Sequence, residues 1–334
     1  MTKASPERWL LIQKFGLIGD TVFHLQAIHA IAAIAPRKCL TLGMSYPLPS
    51  ADLFVDDPAV EGILTLGHGL IGRLQNIPLL RRERFARAWL LGRSTAHALT
   101  FLCAGIQERL AYGYDWVQRL TLTRSLYRPL PQPIPEIALR SYDFLKVQGI
   151  PFLPEGRKPI FSTARIESAV QQYAEFPRPW IAFGLGASEA KRLWPVPHWI
   201  FLAKALCAHY GAGTVFLCGG RQDLEHAREI AAPLSSSLSV VFVIGEHLAT
   251  VGSLFHHIDL FVGNDSGLFN LAGVIEVCPV VGLFGVSPVL TYLPHIIPVV
   301  PDPGINVTSM EALASSSVRD TILQRVPNLP TFAY

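Results

Sequence analysis

The chain has 334 residues, 50% of them hydrophobic and 16% charged, with a formal net charge of +3 at pH 7. Its length is too great for one core of ordinary size and predicts two domains, and its apolar content excludes a disordered chain. The mild charge lacks the clustered basic surface that nucleic-acid binding needs, so no nucleic-acid partner is expected.

The five cysteines are scattered and form no CxxC pair. This spacing is typical of reduced thiols in a cytoplasmic protein, and it predicts neither a disulfide framework nor a metal site. No apolar run reaches the roughly 18 residues of a membrane-spanning helix, and Lys14 and Asp20 interrupt the first apolar stretch, so no signal peptide is expected. The mean hydropathy of +0.33 leaves peripheral membrane contact open.

The first half of the chain alternates strand-like and helix-like segments. In order, they are a strand at 8–15, a helix at 20–36, a strand at 38–44, a short helix or loop and then a strand within 52–67, a helix at 77–85, a strand at 86–92 and a helix at 94–105. A proline-dense loop at 128–136 and an amphipathic helix at 137–150 follow, and residues 151–163 are interpreted as a linker.

The second half repeats the alternation. Strands are predicted at 179–186, 213–220, 239–245, 259–264 and 278–285, and helices at 197–211, 223–234, 247–257 and 267–275. Such alternation predicts parallel sheets flanked by helices. We therefore expect two doubly wound α/β domains, residues 1–155 and 156–334, facing each other across a cleft. A last helix, at about 308–326, is expected to pack back toward the first domain.

The stretch FVGNDSGLFNLAG (261–273) places a polar turn where a strand ends and a helix begins. In open parallel sheets, ligands bind outside the carboxyl ends of the strands, where helix N-terminal amides favour phosphate. Gly263 and Gly267 allow close backbone approach, and Ser266 can cap the helix or donate to an oxygen. Asp265 would repel a bare phosphate, so we expect it to hold the turn or to bind a sugar hydroxyl. The alternative is a plain helix cap formed by Asp265 or Ser266.

GASEAKRLWP (186–195) occupies the same topological place after the first strand of the second half. Ser188 could donate to a phosphate, and Lys191 and Arg192 could neutralise a diphosphate through charge-assisted hydrogen bonds. The alternative is a pair of solvated bases on a loop before a helix. GLGAS does not match the GxGxxG fingerprint of a dinucleotide site.

CGGRQDLEH (218–226) also follows a strand and opens a helix. Gly219 and Gly220 would let a ligand approach, and Asp223 or Glu225 could reach a ribose hydroxyl. The alternative is a glycine turn with acids placed favourably in the first helical turn.

KFGLIGDTVFH (14–24) ends the first strand of the first half and brings Asp20 to a strand-to-helix turn. An acid there can act as a general base if it reaches a substrate hydroxyl, and the alternative is a helix N-cap. The run RRERFAR (81–87) is interpreted as a solvated helix face, with a basic acceptor or membrane surface as the alternative, because apolar AWLL (88–91) follows it.

These segments, in this order, resemble the motifs of the heptosyltransferase family of bacterial glycosyltransferases, glycosyltransferase family 9. KFGLIGD resembles the K-x-x-x-x-G-D opening, and LRRERFARAWLLG resembles the strand and helix that begin LRRERYD. GASEAKRLWP resembles G-A-S-x-x-K-R-W-P, and VGNDSGLFNLAG resembles V-G-N-D-[ST]-G-x-x-H-L-A-A. The similarity runs over almost the whole chain.

The resemblance implies a GT-B architecture of two Rossmann-like domains. It implies an ADP-heptose donor held by the C-terminal domain, a lipid-linked sugar acceptor at the N-terminal domain, and inverting transfer that needs no cofactor and no metal. Asp20 matches the catalytic base. The residues that match donor and phosphate binding are Ser188, Lys191, Arg192, Asp265, Ser266, Gly267 and Leu268, and those near the ribose and nucleotide are Gly219, Gly220, Asp223 and Glu225.

The chain departs from the family pattern at five places, one of which is an extra residue in GVIEVCP (273–279). Asn270 stands where the family has His, and KRLWP has one extra position, so that Lys191 and Arg192 compete for one role. The altered 184–187 turn affects the expected donor, and the altered 89–94 segment affects the expected acceptor.

We therefore expect an inverting glycosyltransferase that moves heptose from ADP-heptose to a lipopolysaccharide core or similar acceptor. The expected location is the cytoplasm, with peripheral contact with the inner membrane face left open. One alternative is a GT-B transferase with a different nucleotide sugar or a non-lipopolysaccharide acceptor. Another is a non-catalytic nucleotide-sugar-binding protein.

Overall fold

The computed structural model of the chain describes residues 7–12, 17–45, 50–92, 94–113, 115–125, 137–305 and 307–329. The chain divides into two compact units, residues 1–160 and 161–334. The proline-dense loop predicted at 128–136 lies outside the described residues.

The described part of the first unit forms a parallel sheet with strand order β3-β2-β1-β4-β5-β6. Its strands are β1 (Trp9–Ile12), β2 (Leu40–Ser45), β3 (Val60–Leu66), β4 (Arg87–Leu90), β5 (Glu108–Ala111) and β6 (Arg124–Ser125). Its helices are α1 (Ile18–Ile34), α2 (Gly69–Glu83), α3 (Thr95–Cys103), α4 (Trp116–Thr121) and α5 (Ile137–Val147). The order reverses between β1 and β4, which makes this the switch point of a doubly wound sheet.

Each face of the first sheet is covered by helices, as a parallel sheet requires. The cluster that covers one face includes Leu80 of α2, Phe101 of α3 and Leu90 of β4. Trp89 and Leu90 of the AWLL segment are buried in β4, so this segment belongs to the core and supplies no apolar membrane surface. The apolar part of the interpretation that paired this segment with the basic run 81–87 as a membrane surface is therefore wrong.

The second unit repeats the same topology, with strand order β12-β11-β10-β7-β8-β9 and every pair parallel. Its strands are β7 (Trp180–Gly184), β8 (Thr214–Gly219), β9 (Ser239–Ile244), β10 (Leu260–Asn264), β11 (Val280–Leu283) and β12 (Ile297–Val299). Its helices are α6 (Thr163–Gln172), α7 (Val196–Tyr210), α8 (Leu224–Ala231), α9 (Leu248–Phe255), α10 (Gly267–Ile275) and α11 (Ser315–Arg325). The switch point of this sheet lies between β7 and β10.

The core of the second unit is rich in aromatic side chains. Trp194 and Trp199 are fully buried, and their rings meet edge to face with centroids 4.9 Å apart. Trp199 also packs against Phe183 of β7, which fixes α7 on the sheet. The last helix, α11, packs on α7 and β12 of its own unit. No helix within the described ranges is long and apolar enough to cross a membrane.

Candidate active site

Three of the predicted segments follow adjacent strands of the second sheet. GASEAKRLWP follows β7, the turn that begins at Asp265 follows β10, and the 220–223 turn follows β8. Since β10, β7 and β8 are neighbours in that order, the three loops meet at the carboxyl edge of the sheet, on either side of its switch point. This edge is where open α/β sheets bind their ligands.

The loop after β7 and the turn after β10 are joined by an ion pair. A guanidinium nitrogen of Arg192 lies 3.1 Å from a carboxylate oxygen of Asp265, and a second lies 3.4 Å from Glu189. Within the described part of the chain, the Nε atom of Arg192 is buried and has no hydrogen-bond partner. One N–H of this guanidinium therefore has no acceptor among the described residues.

Lys191 has different surroundings. Its ammonium lies 2.8 Å from Glu189, and its side chain is 57% exposed, against 28% for Arg192. The hydrogen bond and charge of Lys191 lower the pKa of the Glu189 carboxyl. Of the two bases that the sequence left in competition, Arg192 is the one in contact with the turn after β10. Ser188, at the start of the same loop, is exposed.

Asn264 is a residue that the sequence reasoning missed. It is fully buried at the end of β10, where its amide nitrogen donates to the carbonyl of Leu185 at 2.7 Å and its amide oxygen accepts from the backbone N–H of Trp194 at 3.2 Å. These bonds fix both ends of the loop that carries Arg192. A polar amide at the last position of an apolar strand was the available signal, because buried amides are nearly always hydrogen-bonded.

The turn after β10 opens the nine-residue helix α10. Ser266 is its N-cap, and its hydroxyl accepts from the backbone N–H of Phe269 at 3.4 Å. Gly267 begins the helix and Leu268 is buried. The plain capping role considered for Ser266 is thus present, while Asp265 holds the turn through Arg192.

Asn270 braces this turn from within the helix. Its amide nitrogen donates to the carbonyl of Ser266 at 2.8 Å, and its amide oxygen accepts from the hydroxyl of Tyr292 at 2.6 Å. Both side chains are buried. A neutral amide at this position therefore connects the turn after β10 to the segment after β11.

The turn after β8 is organised by Asp223. Its carboxylate accepts from the backbone N–H of Gly220 at 2.8 Å, and burial raises its pKa. A Cβ atom on Gly186 or Gly219 would lie 2.7 or 2.8 Å from this carboxylate, so these two glycines make room for Asp223. Glu225 is exposed and lies 2.6 Å from Arg228.

In the first unit, Asp20 lies in the first turn of α1, beyond the carboxyl end of β1. It thus occupies the switch point of its own sheet. The N-cap of α1 is Leu17, so Asp20 is not the capping residue. One turn later, His24 is buried, with its Nδ1 atom 2.7 Å from the hydroxyl of Ser141. Burial lowers the pKa of His24 to about 4, with the charge of Arg140 acting in the same direction.

Metal ligands are not grouped in the part of the chain that the structure describes. There, no set of three or more His, Cys, Asp or Glu side chains is placed to hold a metal ion.

Solved structures share this architecture. The E. coli ADP-heptose lps heptosyltransferase II is 24% identical, with 95% of this chain and 98% of that chain covered and a TM-score of 0.76. A family 9 glycosyl transferase from Veillonella parvula is 15% identical, with 95% and 96% covered and a TM-score of 0.76. E. coli heptosyltransferase WaaC with ADP-2-deoxy-2-fluoro heptose is 16% identical, with 95% and 100% covered and a TM-score of 0.72. The two parallel-sheet units therefore have the fold of the GT-B glycosyltransferases.

A family match of the sequence assigns the chain to one family of glycosyltransferases. The family described as glycosyltransferase family 9 (heptosyltransferase) matches residues 75–296, more than half of the chain, and no curated protein matches it. The chain belongs to glycosyltransferase family 9, the heptosyltransferases, as its motifs predicted.

Proposed function

We propose that this chain transfers heptose from ADP-heptose to a lipopolysaccharide core or similar saccharide acceptor, with Asp20 as the general base. The observation that supports donor binding in this proposal is the ion pair between Arg192 and Asp265 at the switch point of the second sheet. Structures of two similar proteins support the choice of donor: one protein is an ADP-heptose lps heptosyltransferase, and WaaC was solved with ADP and with ADP-2-deoxy-2-fluoro heptose.

The donor diphosphate is proposed to bind at the N-terminus of α10. The backbone amides of Gly267 and Leu268, with the helix dipole behind them, favour negative charge there. Arg192 would add a charge-assisted hydrogen bond through its buried Nε atom, and Ser188 would donate to a second phosphate oxygen. Lys191 is left outside this set because its side chain is 57% exposed and its ammonium pairs with Glu189, whereas Arg192 also pairs with Asp265 of the turn after β10.

The nucleoside is proposed to lie along the turn after β8. Asp223 already accepts a backbone hydrogen bond and shapes the turn at Gly219 and Gly220. Glu225 is the exposed acid of this segment and is the better candidate for a ribose hydroxyl.

The proposed reaction is a single displacement. The Asp20 carboxylate takes the proton of the acceptor hydroxyl while that oxygen attacks the anomeric carbon of the donor. The bond from this carbon to the diphosphate oxygen breaks, and ADP leaves with the electron pair. One displacement inverts the anomeric centre, and Arg192 with the α10 amides stabilises the charge that develops on ADP. This reaction requires no cofactor besides the donor. We propose that the protein carries it out at the cytoplasmic face of the inner membrane.

The first test measures donor binding by calorimetry and thermal shift with ADP, UDP, GDP, CDP and ADP-heptose. We expect the adenine nucleotides to bind, Asp265→Ala to weaken them at least tenfold, and Asp20→Asn to bind them as the wild type does. Transfer by Asp20→Asn should fall by about 10²–10⁴, the usual contribution of a positioned general base. Glu155→Gln, at an exposed carboxylate of the same unit, is the matched control and should retain activity.

Other outcomes identify other functions. Preference for UDP or GDP would replace the heptose donor by another nucleotide sugar within the same fold. Binding of ADP-heptose with no transfer to any saccharide acceptor would make the chain a nucleotide-sugar-binding protein. Full activity of Asp20→Asn would remove Asp20 from the mechanism.

A further inference from the structure

The first unit exposes an unusual set of apolar side chains. Among the described residues, the five most exposed large hydrophobic side chains all lie on α2 or α4, and they are Leu70 (76%), Leu120 (75%), Ile71 (74%), Trp116 (70%) and Leu74 (59%). Single exposed hydrophobic residues are ordinary, but a group of this kind on neighbouring helices marks an interaction site.

These side chains belong to one surface. Helix α3 lies between α2 and α4 and contacts both, and it contributes Leu99 and Leu102, which are also exposed. The inner sides of α2 and α3 pack on the same face of the first sheet through Leu80 and Phe101. The apolar residues therefore lie on the outer side of this helical layer, which we call the α2–α4 surface.

The same helices are basic. Arg73, Arg81 and Arg82 of α2 and Arg119 of α4 are exposed. Two acids lie on or next to these helices: Glu83 lies 2.8 Å from Arg8 and 3.6 Å from Arg82, and Asp115 caps α4 by accepting from the backbone N–H of Gln118. Four arginines against two acids give these helices a local positive charge, in a chain whose formal net charge is +3.

We propose that the α2–α4 surface docks the first domain on an anionic phospholipid bilayer. Leucine and isoleucine side chains enter the acyl boundary of a membrane, tryptophan prefers the headgroup level, and arginines attract lipid phosphates. A second copy of the chain fits this surface less well, because a symmetric contact would bring its arginines against those of the partner.

The orientation of the α2–α4 surface connects membrane docking to the proposed function, and this part of the inference rests on that function. The N-termini of α2 and α4 follow β3 and β5, and Asp20 follows β1. In a parallel sheet these points share one edge, so Leu70, Ile71 and Trp116 lie at the edge that carries the proposed base. A lipid-linked acceptor held in the bilayer would then be presented to Asp20 without leaving the membrane.

The test is co-sedimentation of the full chain with phosphatidylcholine vesicles and with vesicles containing 30% phosphatidylglycerol, without donor or acceptor. We expect at least tenfold tighter binding to the anionic vesicles, weakened by salt. Leu70→Gln/Ile71→Gln/Trp116→Gln should lower binding at least tenfold, and Arg73→Gln/Arg119→Gln should remove the preference for anionic lipid. Phe201→Gln/Phe242→Gln, at exposed apolar positions of the second unit, is the matched control and should bind as the wild type does.

The proposal is overturned if the wild type ignores anionic vesicles, or if the apolar triple variant binds them equally well. It is also overturned if sedimentation shows a dimer that the triple variant abolishes, because the surface would then join two copies. Circular dichroism verifies that the variants are folded. Transfer to a water-soluble, delipidated acceptor separates the two proposals: the triple variant should retain it, whereas failure of the wild type there would count against the proposed function alone.

Discussion

Arg192 and Lys191 are adjacent bases with opposite surroundings. Arg192 is half-buried against Asp265, while Lys191 is exposed and paired with Glu189. Charge alone does not distinguish them in the sequence. The difference arises because β10 lies beside β7, which brings Asp265 to a residue 73 positions earlier in the chain.

This difference predicts unequal effects of substitution. Arg192→Lys keeps the charge but loses the planar fork, which contacts Asp265 and Glu189 and is proposed to donate to a phosphate oxygen of the donor. We expect it to weaken ADP binding about tenfold, which corresponds to about 1.4 kcal/mol. Lys191→Gln is the matched control and should change the affinity less than twofold by calorimetry. A larger loss in Lys191→Gln would assign the phosphate contact to Lys191.

The hydrogen bond from Tyr292 to Asn270 allows a second prediction. Tyr292→Phe leaves the buried Asn270 oxygen without this donor, at a cost of about 1–3 kcal/mol, and frees the amide to turn away from Ser266. We expect several-fold weaker ADP binding together with lower stability.

Tyr210→Phe distinguishes a local effect from general destabilisation. The hydroxyl of Tyr210, the last residue of α7, donates to the carbonyl of Val326 at the end of α11. This bond lies outside the loops after β7, β8 and β10. This variant should lose stability but bind ADP normally. Equal losses of affinity in both variants would show that Tyr292 acts only through overall stability.

At the scale of elements, the long helices and buried strands were predictable. The helix predicted at 20–36 is observed as Ile18–Ile34, and the helix predicted at 267–275 has the same bounds in the structure. Dense apolar composition marks these elements, and Pro36 and Ser266 supply boundary signals. The two-domain α/β fold follows from the alternation alone.

The missed elements lack such signals. Helix α6 was not predicted, because the interpreted linker ended at residue 163 and no element was expected between it and the strand at 179–186. Ala169 is the one buried residue of this helix, so burial marks it only weakly in the sequence. Strand β12 has three residues and contains Pro298 at a sheet edge, where proline is tolerated. In the candidate site, the position of each motif after a predicted strand was enough to predict the loops that follow β7, β8 and β10. The hydrogen bonds of Asn264, Asn270 and Tyr292 depend on tertiary contacts and could not be predicted in this way.

The packing of α1 on α5 should depend on pH. Burial, with the charge of Arg140 acting in the same direction, gives His24 of α1 a pKa of about 4 in the folded protein, against about 6.5 in an unfolded chain. The unfolded state therefore binds more protons between these values, and stability falls as pH decreases from 6.5 to 4. At pH 4.5 the loss from this group is about 2 kcal/mol.

Urea unfolding of the full chain at pH 7 and pH 4.5 measures this loss. His24→Gln should lose about 2 kcal/mol less than the wild type over this interval. His68→Gln, at an exposed position of the same unit, is the control and should retain the wild-type pH dependence. A His24→Gln protein with an unchanged pH dependence would contradict the assignment.

At the scale of the whole molecule, each unit has its own sheet and its own core. The described cluster around Trp194 and Trp199 draws its residues from the second unit alone, and the cluster around Phe101 from the first. A unit of this size is typical of an independently folding domain.

We therefore predict that residues 161–334 fold alone. The fragment should unfold cooperatively in urea and bind ADP within about tenfold of the full chain, because every proposed donor residue lies within it. It should transfer no sugar, since Asp20 is absent. A fragment with helical circular dichroism but no cooperative transition would show that its core needs the first unit.

The identical strand order of the two sheets has a consequence for how such chains diversify. Because each topological copy is one contiguous stretch of polypeptide, a single genetic crossover near residue 160 can exchange an entire half. The proposed base and membrane surface would be inherited with the first half, and the proposed nucleotide-sugar preference with the second. Hybrids of family members joined at this boundary should combine the acceptor of one parent with the donor of the other.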